Sequence, residues 1–178
     1  MDTTYPSSVI RFEKEFHKPK QGRTLIVGSF VVEGKEDRRN LYSDVLGVDM
    51  RKGPGVDLVL DMEEALPEDL GKFDNVECQS VLEHSRAPWK LAANIEDVMN
   101  LGATIYVAVP FVWRVHSYPD DYWRFTISGV KELFPRIEWS ELLYAHEKLS
   151  KKTTSIRENF IGHVFLARTE VLGVGVRI

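Results

Sequence analysis

Short runs of aliphatic and β-branched residues, separated by segments of helical periodicity, constrain this chain more than any other feature. Thr24-Leu25-Ile26-Val27 stops at Gly28, Leu46-Gly47-Val48 at Asp49, residues 56–60 at Asp61, and residues 104–109 at Pro110. A further run, residues 73–82, leads into Glu83-His84. Runs that are apolar at consecutive positions suit strands covered on both faces, and their alternation with helical segments predicts a parallel sheet. The clearest helix is 88–100. There Trp89, Ala92, Ile95 and Met99 recur at helical spacing, Pro88 sits early where no N–H is needed, and Gly102 supplies a stop. Further helices are predicted over 6–17, with Val9, Phe12 and Phe16 on one face, and from Thr126 to before Pro135. Two strands, 137–144 and 163–171, joined by a polar, basic connection, predict an antiparallel finish. The expected fold is α/β: a doubly wound, Rossmann-like, mostly parallel sheet with an antiparallel C-terminal strand pair.

Composition removes several alternatives. At 178 residues a single domain over 1–178 is expected. Cys78 is the only cysteine, which excludes an internal disulfide framework and a structural Cys-based zinc site, and it reads as a small core residue. The longest apolar stretches, 25–32 and 105–113, fall far short of the roughly 20 residues that span a bilayer. The N-terminus lacks the apolar core of a signal peptide, so a cytoplasmic protein without a membrane span is expected. The net charge of −4 is unevenly spread: residues 57–77 carry eight acids and one base, leaving the rest slightly basic. An anionic acceptor is therefore not excluded. Lys148, Lys151, Lys152 and Arg157 read as a solvated connection rather than as a nucleic-acid surface. Whether residues 173–178 join a sheet edge or a partner stays open, as does the oligomeric state.

In an open α/β sheet, ligands bind beyond the carboxyl ends of the strands. Those ends carry Gly28-Ser29, Asp49-Met50, Asp61-Met62, Ser80-Val81-Leu82 and Pro110-Phe111. Asp49 follows Gly28 by 21 residues, the interval at which an acid after the second strand accepts hydrogen bonds from ribose hydroxyls. Asp61 is placed to reach an adenine amino group. Strand-end aspartates also cap turns, but two at successive ends favour a nucleoside site. A pyrophosphate site wants G-x-G-x-x-G, and here the turn reads Gly28-Ser29-Phe30-Val31-Val32-Glu33-Gly34. A nucleoside without phosphates is expected.

The tetrapeptide Val81-Leu82-Glu83-His84 and the segment Asp120-Asp121-Tyr122-Trp123-Arg124-Phe125-Thr126, preceded by Val109-Pro110-Phe111, resemble a branch of class I S-adenosylmethionine-dependent methyltransferases. These are small type-11-like enzymes, many of them accompanying surface-polysaccharide genes. The resemblance covers about residues 24–135 and implies S-adenosylmethionine as cofactor. It places Gly28 and Ser29 against the methionine part, Asp49 on the ribose, and Met50 beside the adenine. Asp61 and Met62 would border the adenine edge, with Ser80, Val81 and Leu82 near the sulfonium. It departs at the first motif: Ile26 stands where the family has an acid, and Phe30 where it has a glycine. Residues 32–42 are also short for the helix that normally follows.

Methyl transfer needs a base only when the acceptor must lose a proton, and His84 is the candidate. A structural histidine at a strand-to-helix turn is the competing interpretation. The aromatic stretch 111–125 is the expected acceptor wall, with Phe111, His116, Tyr118, Asp121, Tyr122 and Arg124 as substrate-binding residues. The alternative is a packed loop with Trp123 in the core and an Asp120–Arg124 ion pair. No metal is expected, because His116-Asp120-Asp121 lacks a second histidine in register. The acceptor is expected to be a small molecule or a glycoconjugate sugar. The rivals are a non-catalytic binding protein that keeps the fold and, more remotely, a nicotinamide oxidoreductase.

Overall fold

The computed structural model describes residues 12–18, 20–116, 119–147 and 167–178. Seven strands form one sheet in the order β3-β2-β1-β4-β5-β7-β6. They are β1 (Arg23–Val27), β2 (Asp44–Asp49), β3 (Leu58–Val59), β4 (Phe73–Gln79), β5 (Met99–Pro110), β6 (Ile137–Glu147) and β7 (Ala167–Arg177). β1 pairs in parallel with both β2 and β4, Val27 lying opposite Val48 and Cys78. The chain therefore builds outward through β2 and β3, then returns to the other side of β1. That reversal opens a crevice at the carboxyl ends of the strands.

The α/β architecture is the expected one, mostly parallel with an antiparallel end. β7 inserts between β5 and β6 and runs antiparallel to both. It reaches Arg177, so residues 173–177, left open by the sequence, are strand; residues 163–166 lie outside the described residues. Gly173 is needed there, because a Cβ would come within 2.6 Å of the Trp139 ring. β3 is shorter than the 56–60 run that predicts it, though Asp57 and Leu60 still donate their amides to the β2 carbonyls of Gly47 and Asp49.

Alternation along β5 divides the core. Ile105, Val107 and Val109 join Leu25, Val27, Val76 and Cys78 beneath Leu91, Ala92 and Ile95 of the Pro88–Val98 helix. Full burial of each such aliphatic side chain stabilises by roughly 1.5–3 kcal/mol. Tyr106 and Ala108 face the other way, against Phe12 and Leu172. The Ile127–Leu133 helix starts at Thr126, whose hydroxyl accepts the Gly129 amide at 3.0 Å. Of the predicted 6–17 helix, residues 12–15 are helical and 16–17 are turn and coil; 6–11 lie outside the described residues.

No α-helix follows β1. Residues 28–37 run as loop, and Asp37 caps only a 3-10 turn, Arg38–Leu41. The sheet face behind β4 is closed instead by a polar cluster centred on Glu77, which is 1% exposed. Its carboxylate accepts from Arg38 Nε, Tyr42 Oη (2.7 Å) and Gln79 Nε2 (2.8 Å), with His17 Nε2 at 3.3 Å. Burial pushes the Glu77 carboxyl up, but His17 and Arg38 outweigh it and hold the group below its ordinary value.

Candidate active site

A cleft of about 270 Å³ lies at the carboxyl ends of β1, β2 and β4. Gly28 begins its floor with φ +72°, and a Cβ there would come 2.3 Å from Val81 Cγ2. The Gly28 and Ser29 amides both donate to the Val48 carbonyl, at 2.9 and 3.0 Å. Neither is free to hold a phosphate, and the segment that follows presents no α-helical N-terminus. Phe30 lines the cleft with its ring packed against Gly53 and the Arg51 guanidinium 4.9 Å from its centroid.

Asp49 and Asp61 both line the cleft, with Met50 and Met62 beside them. Asp49 accepts the Arg51 amide at 2.9 Å and the Phe30 amide at 3.4 Å, while Asp61 accepts the Glu63 amide at 2.9 Å. Each thus caps its turn at the border of the cleft. Met62 is buried, whereas Met50 is exposed. Ser80 and Val81 also line the wall, and Ser80 has φ +52°, the only positive φ outside glycine among the described residues. A strained backbone of that kind persists where the surroundings over-determine it, often at functional sites. Ser29 and Leu82 are buried and do not line the cleft; Leu82 belongs to the main core.

Sequence reasoning missed Glu63, Ser85, Leu91 and Arg51 on the same wall. Glu63 receives the amides of Arg86 (2.9 Å) and Ala87 (3.2 Å), a carboxylate at the start of the Pro88–Val98 helix. Only the separation of 23 residues closing in space reveals it.

The two motifs singled out in the sequence dock on each other. The Glu83 carbonyl accepts the amides of Tyr122 (2.8 Å) and Trp123 (3.3 Å), and Trp123 Nε1 donates to the Ser85 carbonyl at 2.8 Å. Trp123 is partly exposed and sets its ring edge-on to Trp89. Arg124 pairs with Asp121, not Asp120, and also reaches the carbonyls of Trp113, Arg114 and Trp123. That contact holds the Asp121 carboxyl well below the usual carboxylate range. Tyr122 donates to Asp120 Oδ2 and receives Arg86 Nε. Phe111 packs on the Tyr144 ring, 4.9 Å between centroids, rather than lining the cleft. Tyr118 lies outside the described residues.

His84 and His116 do line the cleft, ring centroids 4.9 Å apart and edge to face. His84 Nδ1 meets the Asp120 carbonyl, so it carries the proton and leaves the Nε2 lone pair free. Burial, opposed by that hydrogen bond and aided by His116, lowers the His84 imidazole below its ordinary value. Beneath both rings Glu83 is 1% exposed. Burial pushes its carboxyl up to about 8, reinforced by Glu170 and Asp121.

The fold matches solved structures along nearly the whole chain. The N-methyltransferase NodS from Bradyrhizobium japonicum, in complex with S-adenosyl-L-homocysteine, superposes with a TM-score of 0.61 at 8% identity, over 96% of this chain and 85% of that one. The 1,6-didemethyltoxoflavin N1-methyltransferase of Burkholderia thailandensis, with 1,6-didemethyltoxoflavin and S-adenosylhomocysteine bound, gives 0.63 at 13% identity, over 96% and 76%. An S-adenosylmethionine-dependent methyltransferase from Archaeoglobus fulgidus gives 0.66 at 15% identity, over 94% and 92%. The chain has the class I methyltransferase fold. No family model and no curated protein matches the sequence. Within the methyltransferase fold this chain differs from the expected first motif by a loop and a 3-10 turn after β1. Among the described residues, no helix of this fold is long and apolar enough to cross a membrane.

Proposed function

We propose that the protein is an S-adenosylmethionine-dependent methyltransferase acting on a small molecule or on a sugar of a glycoconjugate. The observation that carries this is one cleft in which two strand-end carboxylates, Asp49 and Asp61, face a floor whose amides are already bonded. Such a cleft offers acceptors to ribose hydroxyls and an adenine amino group, and offers nothing to a pyrophosphate. Gly28, Ser80 and Val81 would border the methionine end, Asp49 the ribose, and Asp61 with Met50 and Met62 the adenine.

The reaction is an in-line displacement at the methyl carbon. An acceptor oxygen or nitrogen forms the new bond to carbon as the carbon–sulfur bond breaks, and the thioether leaves uncharged. Holding the nucleophile about 3–3.5 Å from the methyl carbon supplies most of the rate. When the acceptor is a hydroxyl, its proton passes to His84 Nε2, whose lone pair is directed by the Asp120 carbonyl on the far side of the ring. His116, Asp121, Tyr122 and Arg124 form or brace the acceptor side.

Calorimetry with S-adenosylmethionine and S-adenosylhomocysteine tests the donor site; binding by one or both is expected, and no binding at millimolar concentration excludes it. The rival, a non-catalytic protein with a closed donor pocket, requires Phe30 to fill that pocket. The position of its ring over Gly53, beside an open cleft, supports the enzyme instead.

A further inference from the structure

We propose that Glu83, His84 and His116 form a binding site for one divalent transition-metal ion of the zinc class, open toward the cleft. One ligand atom from each residue lies within 4.8 Å of the others. His84 Nε2 is 3.8 Å and His116 Nε2 is 4.0 Å from the same oxygen, Glu83 Oε1. Those gaps are too long for hydrogen bonds. Ligands bound to one ion at about 2.0–2.2 Å in tetrahedral array stand about 3.4 Å apart, so each of these two histidine-to-carboxylate gaps is about half an ångström wider than a closed site. The other carboxylate oxygen, Glu83 Oε2, is buried without a hydrogen-bond partner.

The far side of the His84 imidazole is arranged to match, its Nδ1 meeting the Asp120 carbonyl. His116 Nδ1 lies 3.1 Å from Asp121 Oδ2 without hydrogen-bond geometry and is otherwise unpartnered. Metal-bound histidines characteristically present their second nitrogen to a carbonyl or carboxylate, which turns the Nε2 lone pair toward the ion. Two imidazoles and one carboxylate suit zinc, cobalt(II) or iron(II) better than magnesium or calcium. Three protein ligands leave a position for an outside ligand, and both histidines line the cleft. An acceptor hydroxyl or carboxylate would take that position. This last role rests on the methyltransferase assignment; binding of the ion does not. His84 Nε2 has one lone pair, so it serves as ligand in the loaded protein and as base only in the metal-free one.

The test is zinc titration of the chelator-treated full chain, followed by calorimetry, with cobalt(II) uptake read from its visible absorption. One equivalent of zinc and visible cobalt bands are expected. His116→Ala and Glu83→Gln should weaken zinc binding by at least about tenfold, while His17→Ala, near Glu77, leaves it unchanged. Absence of zinc uptake and of cobalt bands in the unaltered chain overturns the site whatever the variants do; so does unchanged affinity in folded His116→Ala. Both readouts are taken without donor, so they fail independently of S-adenosylhomocysteine binding.

Discussion

The main-chain carbonyl of Glu83 accepts the Tyr122 amide at 2.8 Å, fastening the loop after β5 to the turn after β4. Through this contact the loop that carries His116 is drawn over the residue before His84. The end of the cleft lined by His84 and His116 is thus built from two separate segments.

Asp49→Ala should weaken S-adenosylhomocysteine binding by about tenfold or more, since ribose hydroxyls would lose a charged acceptor. Asp49 also braces the Phe30 and Arg51 amides. Asp49→Asn keeps one accepting oxygen and should lose less. Equal calorimetric affinity for wild type and the alanine variant would remove Asp49 from the donor site.

His84→Ala should reduce turnover on a hydroxyl acceptor by about a hundredfold while changing donor affinity little. Loss of folding stability in step with activity, read from thermal melts, would make the histidine structural.

Arg38→Ala should destabilise the fold by about 3 kcal/mol in urea titration, because it removes the guanidinium from a buried carboxylate that keeps only Tyr42, Gln79 and His17. Glu77→Gln in the same background should recover part of the loss. An effect below about 0.5 kcal/mol, the usual size for a surface substitution, would show the Glu77 cluster to be solvated.

Metal-free protein should lose stability as pH rises. The Glu83 carboxyl is raised by burial to about 8, so between about 5 and 8 the folded state keeps a proton that the unfolded chain has released. Its contribution is therefore full below the ordinary glutamate value and lost as pH climbs through 8, with a slope of at most about 1.4 kcal/mol per pH unit. Glu83→Gln, measured in chelator, should flatten that slope. An unaltered pH profile would contradict the burial of an unpaired carboxyl.

Much of this was legible in local sequence. Continuous apolar runs encode strands buried on both faces, and Asp49 and Asp61 mark strand ends because the runs stop there. The missing glycines pointed away from a phosphate cradle, and the Gly28 and Ser29 amides are bonded to the Val48 carbonyl. Tertiary structure decided the rest. Arg124 pairs with Asp121 rather than Asp120, whose carboxylate accepts the Tyr122 hydroxyl instead. The insertion of β7 between β5 and β6 depends on long-range pairing that no local period specifies. His84 and His116, 32 residues apart, meet only because main-chain hydrogen bonds dock one loop on another. Periodicity records which side chains are buried; amide-to-carbonyl contacts between loops leave no residue pattern behind.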